Sequence, residues 1–179
     1  MSEPHSFSAA VGARLKQARQ DSGRSLSALA AEAGIGKGSL SEIEAGRRNP
    51  TLSTVYAVAN SLGLPLSTLL PERPGAELHS SGVTARLLNA FSQVDGTIVE
   101  VFLLLLEPGE RRVSAPHAPG TVEHLYLTEG AARVGPAQQP DRVDAGTSAT
   151  WPADVEHSYE ALPGPARGVL TITTPIRSS

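Results

Sequence analysis

At 179 residues the chain has the length for one large domain or two small ones, each able to bury its own core. A hydrophobic fraction of 40% with 18% charged residues points to a soluble globular protein, and the lack of cysteine excludes disulfides and thiolate metal sites. The formal charge of −3 is uneven, because residues 1–70 hold seven Lys/Arg against five acids while residues 71–179 hold eight Arg against thirteen acids, as expected of a chain that touches nucleic acid at one end only.

The start, MSEPHSFSAA, has no basic segment followed by an apolar run, so no signal peptide is expected. The longest apolar block, VFLLLL at 101–106, is far too short to span a bilayer and suits a buried strand. These features lead to the expectation of a cytoplasmic protein with no membrane partner. Aromatics make up only 4% of the residues, so the cores must be built from Leu, Val, Ile and Ala.

Residues 7–70 follow a helical pattern broken by glycines. Val11, Leu15 and Ala18 recur at three to four residues and predict a first helix ending near Gly23. Ser25 is placed to cap a second helix carrying Leu26, Leu29 and Ala30, which Gly34 stops. A third helix runs from Lys37 to Ala45 with Leu40 and Ile43 on its apolar face, and stops at Gly46. Thr51 caps a fourth containing Leu52, Val55, Ala59 and Leu62, ended by Gly63, and Pro65 opens a short fifth helix through Leu70. Ala30 lets the second and third helices approach, and Gly34 permits the turn between them. The polar face Lys37, Ser39, Ser41 and Glu42 is left for a DNA major groove.

Beyond residue 70 the pattern changes. PERPGAE and the residues just after it, 71–79, read as a linker. The runs VTARLL, TIVEVFLLLL, HLYL, TSATW and VLTITT then alternate with the Gly/Pro turns EPGE, VGPAQQP and LPGPA. Short strands at that spacing predict an all-β sandwich or barrel over 80–179, and the absence of an intervening amphipathic helix argues against a parallel α/β sheet.

The stretch SLSALAAEAGIGKGSLSEIEAGRRNPTL, residues 25–52, resembles the XRE (phage-repressor-like) helix-turn-helix family, and the likeness covers about residues 8–70. The resemblance implies a recognition helix beginning near Lys37 and a DNA-binding set of Ser25, Lys37, Gly38, Ser39, Ser41, Glu42, Arg47, Arg48 and Asn49. By that match Lys37, Gly38 and Glu42 face base edges, with Ser39 and Ser41 near the backbone. Lys37 can donate to guanine and Glu42 can accept from cytosine. Gly38 departs from the usual side chain and leaves one contact empty. Arg47, Arg48 and Asn49 follow the helix and are placed for phosphates. One such domain touches few phosphates, so a homodimer on a two-half-site, double-stranded DNA operator is expected.

The second half resembles the cupin family (a double-stranded β-helix or jelly-roll) through two spaced motifs. Gly109 is followed by a His-x-His slot at 115–117, then Glu123 and Gly130; Gly146 is followed by Pro152-Ala153-Asp154, His157 and Ala161 where Asn is usual. Strand alternation aims 115 and 117 at one face. In metal-bearing members three His and one Glu hold Fe, Mn, Ni or Zn. Here the first slot is Ala115, which leaves His117, Glu123 and His157 as metal ligands. A two-His-one-carboxylate set is sufficient for a divalent metal, and the same residues also suit a metal-free polar pocket. On a strand, His124 faces away from Glu123 alongside Tyr126 and so does not replace the missing ligand. Trp151 and Tyr159 join His117, Glu123 and His157 as candidate effector-binding residues, and Arg111, sharing parity with Ala115, is a candidate cation for an anionic ligand.

Three functions fit this pattern. The first is a non-enzymatic transcriptional regulator whose β domain dimerises and binds a small-molecule or metal effector. The second is a metal-dependent cupin enzyme, of isomerase or oxygenase type, fused to a DNA-binding domain. In the third the β domain serves only as a dimerisation scaffold. Ala115, and the lack of a further acid/base pair aimed at the cavity, weigh against the enzyme.

Overall fold

The computed structural model describes residues 4–71, 77–109 and 111–175. The chain divides into two compact units, Met1–Ala76 and Glu77–Ser179. Residues 72–76 of the expected linker lie outside the described residues. Its last part is not linker: Glu77–Ser80 forms strand β1 and pairs antiparallel with Val83–Arg86. The segment Glu77-Leu78-His79-Ser80 alternates, with Leu78 buried at 2% exposure. That alternation is the ordinary signature of a half-buried strand.

The first unit contains helices α1 (Pro4–Asp21), α2 (Leu26–Glu32), α3 (Lys37–Glu44), α4 (Leu52–Leu62) and α5 (Leu66–Leu69). Their ends follow from the capping residues. Ser25 Oγ accepts the Ala28 N–H at 3.1 Å, Thr51 Oγ1 accepts that of Thr54 at 3.2 Å, and Gly63 closes α4 in the left-handed region at φ 67°. Val11, Leu15, Leu29, Leu40, Ile43, Val55, Val58 and Leu69 form the core. α1 crosses the end of α3 so closely that a Cβ on Gly12 would stand 2.1 Å from the Ile43 carbonyl oxygen. Arg19 secures the same crossing by donating from Nε and one terminal nitrogen to the two carboxylate oxygens of Glu44, at 2.7 and 2.9 Å.

The second unit holds two antiparallel sheets. The larger runs β1-β2-β3-β10-β5-β8, comprising β1, β2 (Val83–Ser92), β3 (Ile98–Leu106), β10 (Ala166–Thr174), β5 (Val122–Glu129) and β8 (Ser148–Pro152). The smaller runs β4-β9-β6-β7, comprising β4 (Arg111–Ser114), β9 (His157–Ala161), β6 (Ala131–Pro136) and β7 (Asp141–Asp144). Phe102, Leu104, Leu125, Leu127, Val134, Val143, Leu170 and Ile172 fill the interior. The two sheets make the all-β jelly-roll architecture expected from the sequence. β5 shows how the sequence selects its faces: Glu123, Leu125 and Leu127 are buried while His124, Tyr126 and Thr128 are exposed.

Candidate functional site

The β domain gathers its titratable groups at one place on the inner face. Glu123 points inward from β5 at 1% exposure, opposite Trp151 of β8 and Ile172 of β10. His157 and Tyr159 point inward from β9 toward Glu123, while Ser158 between them faces the other way and is buried beneath Arg111. His117 reaches the same spot from the loop after β4. One potential ligand atom each from His117, Glu123 and His157 lies within 4.8 Å of the others.

Both oxygens of Glu123 are engaged. His117 Nε2 donates to Oε1 at 3.0 Å, and the Tyr159 hydroxyl donates to Oε2. His157 Nε2 stands 3.5 Å from Oε1, within ion-pair reach but without hydrogen-bond geometry. Burial by itself pushes the Glu123 carboxyl up. The His117 bond and the charges of both histidines outweigh this and hold it well below the usual carboxylate range. Burial likewise pushes the His157 imidazolium down, but Glu123 and the Val155 carbonyl outweigh it and the net shift is upward from the ordinary 6.5.

His157 Nδ1 donates to the Val155 carbonyl at 2.9 Å, which directs Nε2 at Glu123. Such a backbone bond on the far ring nitrogen fixes a metal-ligating tautomer. His157 Nε2 is buried without a hydrogen-bond partner among the described residues. Two imidazoles and a carboxylate, one imidazole with an orphaned and correctly oriented nitrogen, fit a divalent cation.

Several expectations need correction. The slot 115–117 is not strand, because β4 ends at Ser114. Pro116 has no N–H for a ladder, and the His117 N–H instead binds the Ala153 carbonyl at 2.8 Å. Ala115 is therefore an exposed loop residue and not an inward strand position. Strand parity shifts with it: Arg112 and Ser114 pair with the inward Tyr159 and His157, whereas Arg111 pairs with the outward Glu160. Arg111 donates to Ser158 Oγ at 3.1 and 3.2 Å, on the outer face, so it offers nothing to the pocket. Arg112 is the cation on the inner side; it donates to Ser80 Oγ, and its charge acts on His157. His124 is exposed, with Nδ1 2.7 Å from Thr150 Oγ1, and lies off the site as parity required.

Glu100 escaped notice in the sequence. It is 2% exposed on β3 and pairs with Ile172, which pairs in turn with Glu123, so both acids share one inner face. The signal was present: Glu100 is the charged residue inside IVEVFLLLL, in phase with Phe102 and Leu104.

In the helical unit, α3 carries Lys37, Gly38 and Glu42 exposed, with Ser39 and Ser41 partly covered. Ser25 is exposed and engaged as the α2 cap. Arg47, Arg48 and Asn49 follow α3, all exposed. Two of them are also engaged within the protein. Arg48 donates to Ser39 Oγ at 3.0 Å and lies 3.9 Å from Glu42, while Asn49 Oδ1 accepts from Ser8 Oγ of α1.

A helix-turn-helix family model, HTH_3, matches residues 15–69. The chain is 29% identical over 148 residues to the HTH-type transcriptional regulator SutR of Escherichia coli, covering 81% of this chain and 83% of SutR. It is 37% identical over 54 residues to the HTH-type transcriptional regulator y4dJ of Sinorhizobium fredii, covering 30% of this chain and 70% of that protein. The fold is that of an HTH_3-family transcriptional regulator from Vibrio cholerae, with a TM-score of 0.80 at 24% identity over 97% of this chain and 99% of that one. The chain belongs to the XRE-type helix-turn-helix family of transcriptional regulators, with a jelly-roll β domain following its helix-turn-helix domain.

Proposed function

We propose that this regulator binds a two-half-site operator as a homodimer and that its cupin pocket senses a small-molecule effector through a divalent cation. The observation that carries the sensing half is the convergence of His117, Glu123 and His157 around one buried point. These three residues would hold the cation, which when bound supplies a Lewis-acidic centre with positions open to an outside ligand. The chain's own groups prepare that centre. Val155 orients His157, and the Tyr159 hydroxyl holds Glu123 in place from its other oxygen.

On the DNA side, Lys37 and Glu42 read base edges from α3, Ser39 and Ser41 lie near the backbone, and Arg47 supplies a phosphate contact. Arg48 and Asn49 serve the phosphates and also hold α3 in place. A second copy is favoured by the need for two half-sites, and by Phe91, Val122 and Tyr126, exposed apolar residues on the outer face of the larger sheet. For the pocket to regulate, its ligand must prefer one of two DNA-binding states of the dimer.

Selection of bound sequences from random DNA, followed by metal analysis of the purified protein, tests this reading. A defined operator with one cation per chain is expected. No sequence preference would remove the DNA half, and no cation after incubation with Fe(II), Mn(II), Ni(II) and Zn(II) would remove the sensing half. The same triad is chemically sufficient for a cupin enzyme, and turnover of a substrate by the loaded protein would replace the sensor reading with that one.

A further inference from the structure

Among the described residues of the helical unit one polar side chain is buried, Ser8 of α1, at 5% exposure. Its hydroxyl donates to Oδ1 of Asn49, in the exposed turn between α3 and α4. The same part of α1 backs that turn directly. A Cβ on Gly46 would come within 2.9 Å of the Ala9 Cα, so the two backbones touch there. Asn49 also lines a recess of about 270 Å³ beside Ser39, Arg48, Thr51 and Thr54, all of which carry hydrogen-bond donors.

A buried hydroxyl needs a partner to offset its lost water, and Asn49 supplies it. The bond also decides which end of the amide is left over. An asparagine side chain offers an accepting oxygen and a nitrogen with two N–H donors. With Oδ1 held by Ser8, Nδ2 is the end left to the outside of this exposed residue. A DNA phosphate oxygen can only accept, so only the nitrogen end can bind it. A flipped amide would turn its oxygen toward the phosphate and repel it. Fixing the side chain before binding also lowers the ordering cost of the contact.

We infer that Ser8 is a positioning residue for DNA binding: its hydroxyl holds Oδ1 of Asn49 so that the amide nitrogen faces outward as the donor to a phosphate oxygen. Being buried, Ser8 acts through Asn49 and touches no DNA itself. This rests on the DNA-binding mode proposed above and adds to it the residue that orients one of its phosphate contacts.

Phosphate contacts do not depend on sequence, so the probe is a random-sequence duplex, and the full-length protein is used throughout. In 15N spectra the Asn49 side-chain NH2 signals, identified by their absence in Asn49→Asp, are expected to shift on saturation with the duplex. Ser8→Ala is expected to weaken duplex binding about three- to tenfold. The salt slope should stay unchanged, because a neutral amide displaces no counterion. In the Asn49→Ala background, Ser8→Ala is expected to add no further loss, as required of a residue that acts only through Asn49. A reduced salt slope in Ser8→Ala would mean that the turn bearing Arg47 and Arg48 has moved, and overturns the inference in favour of a purely structural role. An added loss in the Asn49→Ala background overturns it as well, as does equal affinity of wild type and Ser8→Ala. Asn49 NH2 signals of the wild type that stay in place at saturation overturn the inference even if Ser8→Ala fails to fold, and leave the DNA-binding reading standing. Wild-type protein that binds no duplex removes both.

Discussion

The Tyr159 hydroxyl donates to Glu123 Oε2, on the opposite side of the carboxylate from the His117 bond to Oε1. Glu123 is thus held from both sides while 1% exposed, so its charge and orientation are fixed without solvent. Removing the hydroxyl should loosen a prepared ligand without removing a ligand. Tyr159→Phe is expected to lower Zn(II) affinity about 10- to 100-fold, the usual effect of losing an outer-shell bond. Chelator competition measures it, and wild-type affinity in the variant contradicts the role.

Glu123→Gln keeps the shape but removes the charge that both imidazoles face. Cation binding should fall further than in Tyr159→Phe, and the upward shift of the His157 imidazolium should disappear. Titration of the His157 ring signals by NMR checks the second effect. An unshifted titration relative to wild type would sink the account of why that group is raised.

The metal-free domain should have a bounded stability optimum in pH. His157 is raised in the folded state, so its contribution is fully present below the ordinary 6.5 and is lost as pH rises through the higher folded value. Glu123 is lowered, so its contribution is present above the ordinary 4.5 and is lost as pH falls through the lower folded value. Urea midpoints of the metal-free protein should therefore be highest between these two ordinary values and decline on either side. Loading with Zn(II) should remove the alkaline decline, because the cation takes the place of the His157 proton. A flat profile from pH 4 to 9 would contradict the coupling.

The two arginines after α3 should behave differently. Arg47 is exposed and follows α3, so on the proposed DNA-binding mode Arg47→Ala should weaken binding on all DNA and reduce the salt slope by about one. Arg48 also holds Ser39 and lies near Glu42, so Arg48→Ala should in addition alter base preference at the Glu42 position. Lys37→Ala should cost about 1–3 kcal/mol on the operator and little on random sequence. Filter binding on operator and random duplexes at several salt concentrations separates the three. Equal losses on both DNAs for Lys37→Ala would remove its base-reading role.

Much of this was legible because local chemistry fixed it. Ser25, Thr51 and Gly63 mark helix ends through bonds to neighbouring residues, and such bonds depend little on the rest of the fold. Strand parity carried Glu123, His124 and Tyr126 to the correct faces because the register of β5 against β10 shifts only after Leu127. The same rule failed at 111–117, where the strand stops at Ser114 before Pro116. Parity counted back from Ala115 then exchanged Arg111 with Arg112, since a slip of one residue reverses a face. His117 reaches the site through a loop bond to Ala153 that no periodicity encodes. The Arg48 contacts to Ser39 and Glu42 depend on tertiary placement and left no trace in spacing.

Gly12 was equally silent in the sequence, yet it sets the approach of α1 to α3. Gly12→Ala would force a methyl onto the Ile43 carbonyl and should destabilise the helical domain by about 1–3 kcal/mol or more. Thermal melting measures this, and an unchanged midpoint would mean the crossing is looser than described.

The most direct test of the whole account is operator affinity measured on metal-free and Zn(II)-loaded protein, wild type beside His157→Ala. Coupling between pocket and DNA predicts a change of about fivefold or more between the two wild-type states and none in the variant. Equal operator affinity of metal-free and fully loaded wild-type protein would contradict it.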